Sequence, residues 1–129
     1  MIVLDTHAWI WWAADARRLP PTARHAIDQA DAVGVCAISL WEVAMLVAKG
    51  RLEFDRETVT WLKQALALPR VELLPLTPVL AADAARLPDT FPGDPADRLI
   101  VASARQARAP LVTRDARIRA RDDVTTVWA

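Results

Sequence analysis

Residues 1–15 read MIVLDTHAWIWWAAD. Ile2, Val3 and Leu4 form a short apolar run of strand type, and Asp5 follows at once, where the chain must turn. From Thr6 to about Ala14 the large apolar residues recur at helical spacing, Trp9, Trp11 and Trp12 among them. A strand apolar on both faces belongs inside a sheet that is covered on both sides. A carboxylate at the rim of that core is costly unless something pairs with it. The rest of the chain is read for that partner.

Working outward, strand and helix patterns alternate. A helix from Thr22 to about Ala30 follows Pro20-Pro21. Gly34 to Ile38 reads as strand two, and Ser39 opens a long apolar helix to Lys49, stopped by Gly50. A further helix spans Glu57 to Leu68, before Pro69. Val71 to Leu74 is strand three, with Leu76 at its limit. Thr77-Pro78 starts a helix through Arg86, and Asp94-Pro95 starts another through about Arg108. Leu111 to Thr113 is strand four, a helical turn follows Asp115, and Thr125 to Trp128 is strand five. Apolar strands separated by helices predict an α/β fold with a mostly parallel sheet of about five strands, built as one domain over residues 1–129. The longest irregular stretch, Leu87 to Pro95, holds three prolines and Gly93, and loops of this kind often edge a site.

Ligands of open α/β sheets bind outside the carboxyl ends of the strands. Asp5 ends strand one, and Glu42 falls in the first turn of the helix after strand two. Asp97 falls in the first turn of the helix from Asp94-Pro95, and Asp115 follows strand four by two residues. Each acid has a local reading. Asp5, Asp94 and Asp115 suit helix caps, Asp97 suits a helix N-terminus, and Ser39 to Glu42 fits a capping box. Caps have no reason to gather at one edge of a sheet, however, and gathered carboxylates repel one another. A hard divalent cation relieves that repulsion and prefers oxygen ligands. Acids without a cysteine or histidine pair point to magnesium or manganese rather than zinc. A metal ion is thus the expected partner of Asp5.

Composition is that of an ordinary globular protein, 53% hydrophobic and 25% charged with a formal net charge of +0. Charge placement is more informative. Half of the arginines (Arg98, Arg105, Arg108, Arg114, Arg117, Arg119 and Arg121) follow the acids Asp89, Asp94 and Asp97. They form either a solvated helical face or a basic rim suited to a phosphate backbone. The one cysteine, Cys36, lies in an apolar run, which fits a core residue in a reducing compartment. There is no signal-peptide pattern and no run of the ~20 apolar residues that a membrane helix needs, so a cytoplasmic location is expected.

Four blocks of the chain, in order, resemble the PIN-domain family, and within it the VapC-like ribonuclease toxins of toxin–antitoxin operons. They are IVLDTHAWIWWAAD, ISLWEVAMLVAKGRL, DPADRLIVASA and LVTRDARI. The resemblance implies a three-layer α/β/α sandwich and an Mg²⁺- or Mn²⁺-dependent endoribonuclease that leaves a 5′-phosphate and a 3′-hydroxyl, using one or two ions. It assigns Asp5, Glu42 and Asp97 as core metal ligands, Asp115 as a fourth acid and Asp94 as secondary. Thr6 and Thr113 would orient a carboxylate or a water, unless they only make local hydroxyl bonds. His7 reads as a solvated histidine, and Arg98, Arg114 and Arg117 as surface charges within reach of flanking phosphates. The resemblance also implies a homodimer and a cognate antitoxin, whose inhibiting arginine would enter among the acids. The apolar set Trp41, Met45, Leu46, Leu52, Phe54 and Trp61 is then expected to include interface residues.

Rival readings fare worse. A haloacid-dehalogenase-like phosphatase needs a second aspartate at position 7, where His7 stands. A receiver module needs a lysine near strand five, and the only lysines are Lys49 and Lys63. A PIN-like module that binds RNA or a partner without cutting is the alternative to the nuclease.

Overall fold

A computed structural model describes residues 1–88 and 94–129. Its centre is a five-stranded, wholly parallel sheet in the order β3-β2-β1-β4-β5, with β1 at Ile2–Leu4, β2 at Val33–Cys36, β3 at Val71–Leu74, β4 at Leu111–Val112 and β5 at Thr126–Val127. The helices are α1 (Thr6–Ala14), α2 (Pro21–Gln29), α3 (Ala37–Ala48), α4 (Thr58–Leu66), α5 (Pro78–Ala85), α6 (Pro95–Ala107) and α7 (Ala116–Arg119), with a 3₁₀ turn at Ala16–Arg18. The order reverses at β1, whose neighbours are β2 on one side and β4 on the other. That is the switch point at which such sheets open a crevice.

Alternation along β1 divides the core. Ile2 and Leu4 face a cluster with Trp9, Ile27, Val43 and Trp61, drawn from α1 to α4. Val3 faces the other layer, with Ile100, Val101 and Ala104 of α6, Leu111 and Ile118. The result is the three-layer α/β/α sandwich that the apolar strands imply. Only the edges depart from full coverage, since Glu72 and Leu73 of β3 are exposed. Gly34 allows tight packing in β2: a Cβ there would lie 2.9 Å from Leu74 Cδ1 and 3.2 Å from Met1 Sδ.

The elements form largely where local signals place them. Pro21 occupies N1 or N2 of α2, and Thr77 accepts from the Leu80 amide ahead of Pro78. Gly50, at φ +70, follows the end of α3, in backbone that favours glycine. The largest difference is at the end of strand two, which closes at Cys36, so that Ile38 belongs to the helix. α3 starts at Ala37 rather than at Ser39, with Cys36 as its N-cap residue, so Ser39 to Glu42 forms no capping box. Ser39 is buried inside the helix and Glu42 lies in its second turn. Arg98 also departs from a surface role, because its guanidinium donates to the carbonyls of Ala84, Leu87 and Pro88 and ties α6 to the end of α5. Residues 89–93, including Asp89 and Gly93, lie outside the described residues, so only the ends of the Leu87 to Pro95 stretch are placed.

The tryptophans sort into core and surface. Trp61 is 5% exposed, 5.4 Å from Trp9 between ring centroids and stacked on Phe54 at 4.1 Å. Trp41 is 58% exposed. Trp61→Ala should therefore lower the unfolding free energy by about 3–5 kcal/mol. Trp41→Ala should stay within about 0.5 kcal/mol. Urea unfolding of both variants checks this, and equal losses would contradict the packing described.

Candidate active site

The carboxyl edge of β1 is fixed by backbone bonds from Asp5 N–H to Val112 O at 3.0 Å and from Val3 N–H to Pro110 O at 2.9 Å. Asp5 thereby sits between β1 and β4. Its carboxylate caps α1, accepting from the Ala8 amide at 2.8 Å. Glu42 arrives from α3 and accepts from the Thr6 hydroxyl, which also shares a 2.9 Å bond with Ser39 Oγ. Asp97 comes from the first turn of α6, and Asp94 caps the same helix by accepting from Ala96 N–H at 2.9 Å. Asp115 caps α7 and pairs with Arg117, Nη2 to Oδ2 at 3.1 Å. All five acids line one cleft of about 380 Å³, together with Thr6, His7, Arg114 and Arg117. A larger depression of about 560 Å³ elsewhere mixes Asp83, Arg86, Arg105 and Asp123, whose charges pair off.

The electrostatics follow from that gathering. Burial raises the Asp5 carboxyl pKa, against the Thr113 hydroxyl, the Ala8 amide and the charges of His7 and Arg114. Glu42 is raised by burial and by the charges of Asp94 and Asp5, with Thr6 opposing. Asp97 is pushed up to about 7 by burial and then by Asp94, Asp115 and Glu42. Asp115 moves the other way, held low by its bond to Arg117. The buried Cys36 thiol is raised to about 11, chiefly by burial and further by the charges of Asp5 and Glu42. The donor set is all oxygen, and its members repel one another in the absence of a counter-charge. That chemistry suits a hard divalent cation. Among the described residues, no group of three or more acidic, histidine or cysteine side chains stands, as placed, in an arrangement that could hold a metal ion. The acids line the walls of one cleft, and four of them have a protein partner: Asp5 the Ala8 amide, Glu42 the Thr6 hydroxyl, Asp94 the Ala96 amide and Asp115 Arg117.

A PIN domain model matches residues 2–124. The chain belongs to the PIN-domain family. Ribonuclease VapC22 of Mycobacterium tuberculosis is 41% identical over 129 residues, covering 98% of each chain, which sets this chain among the VapC-like members. The fold is shared with a chain of VapBC2 from Rickettsia felis, solved with a DNA fragment from the promoter, at 17% identity and a TM-score of 0.71 over 98% of this chain and 97% of that one. It is also shared with a chain of a toxin–antitoxin complex from Klebsiella pneumoniae, at 18% identity and a TM-score of 0.67 over 98% and 97%.

In this PIN domain the five acids offered as ligands, Asp5, Glu42, Asp94, Asp97 and Asp115, line the same cleft. Of three further residues beside it, Thr113 stands where the sequence placed it, whereas Ser39 and Arg117 have partners the sequence did not indicate. Ser39, read as a cap, instead steadies the Thr6 hydroxyl that holds Glu42. Thr113 is buried at the end of β4, accepts from the Asp115 amide at 3.1 Å and bonds to Asp5. Arg117 is the counter-charge of Asp115 and acts on Asp97 as well. His7 is exposed, at the rim of the cleft.

The raised Asp97 pKa has a stability consequence with a definite sign. Between the ordinary carboxylate value near 3.8 and about 7, the folded metal-free protein holds a proton there that the unfolded chain has released. Asp97 therefore costs stability increasingly as pH rises through that window. The favourable helix-dipole position offsets only part of this. Metal-free Asp97→Asn should melt higher than the parent protein at pH 8, with the difference vanishing near pH 4. Thermal melts in EDTA check it, and a lower melting temperature for the variant at pH 8 would make Asp97 a stabilising helix-end charge instead.

Proposed function

We propose that this PIN-domain protein is a divalent-metal-dependent endoribonuclease, the toxin of a toxin–antitoxin pair, which hydrolyses RNA phosphodiester bonds. The observation that carries the reading is the gathering of Asp5, Glu42, Asp97 and Asp115 from four distant segments into one cleft at the switch point. The likeness to a relative named ribonuclease supports the reaction class. Asp5, Glu42 and Asp97 are the proposed ligands of Mg²⁺ or Mn²⁺, with Asp115 as the fourth acid and Asp94 secondary. A bound ion supplies charge for the scissile phosphate and acidifies a water.

The chain's own residues do the rest. The Ala8 amide and Thr113 fix the Asp5 carboxylate. Ser39 steadies Thr6, and Thr6 aims Glu42. Arg114 and Arg117 set positive charge at the mouth of an otherwise acidic cleft. RNA enters as substrate, and an antitoxin inhibits by placing an arginine among the acids, as a guanidinium fork suits carboxylates. Likeness to toxin–antitoxin complexes supports that partner. Homodimerisation belongs to the same proposal. Exposed apolar side chains are available for protein contacts, among them Trp41 of α3, Val59 of α4, Leu73 of β3 and Val79 of α5. No helix among the described residues is long and apolar enough to cross a membrane.

The test is cleavage of a structured RNA pool by partner-free protein in EDTA, magnesium or manganese. Cleavage should require the ion and disappear in Asp5→Asn and Asp97→Asn. Thr6→Val, which removes only the hydroxyl that aims Glu42, should slow it about 10–100-fold. Tight ion binding without cleavage of any RNA would favour the non-cutting module. Equal cleavage in EDTA would remove the metal from the account.

A further inference from the structure

Beside the acidic cleft stands a pair of stacked cations. Arg114, which follows Thr113 at the end of β4, lines the cleft and holds its guanidinium carbon 4.9 Å from the Trp11 ring centroid. Arg18, from the 3₁₀ turn after α1, lies over the same ring at 4.8 Å. Trp11 is itself buried and braced, with Trp128 at 5.8 Å and the His7 ring edge-on at 6.1 Å. Neighbouring arginines are spent on carboxylates: Arg17 on Asp15, Arg117 on Asp115, Arg121 on Asp123. Arg18 and Arg114 are exposed and, among the described residues, within ion-pair distance of no carboxylate.

We propose that Arg18 and Arg114, stacked on Trp11, form a rail that binds the phosphate backbone of single-stranded RNA and lays the strand across the acidic cleft. The proposal deepens the ribonuclease reading and rests on it. A cleft of carboxylates repels a polyanion, and a chain of zero net charge offers no bulk attraction to offset this. Local cations must therefore hold the strand. A guanidinium held over a ring by its charge still has N–H groups free for phosphate oxygens. Stacking on a fixed ring also removes rotamer freedom before the ligand arrives, so less is lost on binding. Arg114 reaches into the cleft and Arg18 stands on the same ring, so the pair marks a path leading out from the acids. Positive charge set along a groove in this way tracks the backbone of single strands with little sequence preference.

The test uses the full chain in EDTA and a short 5′-labelled single-stranded RNA of mixed sequence, followed by fluorescence anisotropy across a salt series. Loss of two phosphate contacts in the Arg18→Gln, Arg114→Gln double variant should flatten the slope of log K against log salt by about 1.4. The Arg18→Lys, Arg114→Lys pair keeps the charge and should restore the slope. Thermal melts of each variant register any folding defect, which a slope per folded molecule does not follow. An unchanged slope in the glutamine variant, with parent protein that cleaves RNA in magnesium or manganese, overturns the rail and leaves the nuclease standing. Parent protein that shows the expected slopes yet never cleaves keeps the rail and removes the nuclease. Parent protein that neither binds nor cleaves RNA overturns both.

Discussion

Crowding of like charge at the carboxyl edge of the sheet is the constraint on which the site depends. A parallel sheet in the order β3-β2-β1-β4-β5 sends the ends of β1, β2 and β4 to one side, and their following segments deliver Asp5, Glu42 and Asp115 there. α6, packed against Val3, brings Asp97 to the same place. The apolar core holds this arrangement against its own repulsion. Trp9, Val43, Ile100 and Val101 are almost wholly buried, so the elements cannot drift apart without opening the core.

What keeps the acids apart in character is their second set of contacts. Asp115 has Arg117 beside it and stays ionised, whereas Asp97, pushed up by burial and then by the charges of Asp94, Asp115 and Glu42, takes up a proton near neutrality. Carboxyl groups pushed in opposite directions within one cleft are a usual sign of divided chemical roles. The same contacts decide how readily the cleft accepts a positive charge. A cation, a substrate-borne metal or an inhibitory guanidinium all meet the same demand, and the fold satisfies that demand only in part through Arg114 and Arg117.

Much of this was legible in the sequence, because the decisive signals are local. The apolar run before Asp5, the prolines at helix starts and the glycine after α3 each act within a few residues, and the elements form there. The acids were legible for a different reason: the topology rule sends strand ends to one edge, whatever the side chains between them. Ser39 was misread because a capping box is a purely local pattern. Here its hydroxyl meets Thr6, 33 positions earlier, and the helix starts two residues sooner than the pattern indicated. Arg98 and Arg117 carried no signal that separated a carbonyl clamp from a carboxylate partner, or either from a surface charge. The approach of Arg114 to Trp11 joins residues from opposite ends of the chain, beyond the reach of any window of sequence, although Arg18 lies only a few residues after that ring.

The central claim is that the cleft is a cation site defined by carboxylates that repel one another in its absence. Its most direct test is calorimetric titration of Mn²⁺ into metal-free protein at pH 7 in buffers of different ionisation enthalpy, which counts the protons released as the ion binds. With Asp97 titrating near 7, binding should release about half a proton from that group. The release should fade toward pH 9 and be absent in Asp97→Asn. No binding at all would contradict the account and leave Asp5, Asp94 and Asp115 as helix caps, and binding with no proton release at pH 7 would remove the repulsion at Asp97 from it.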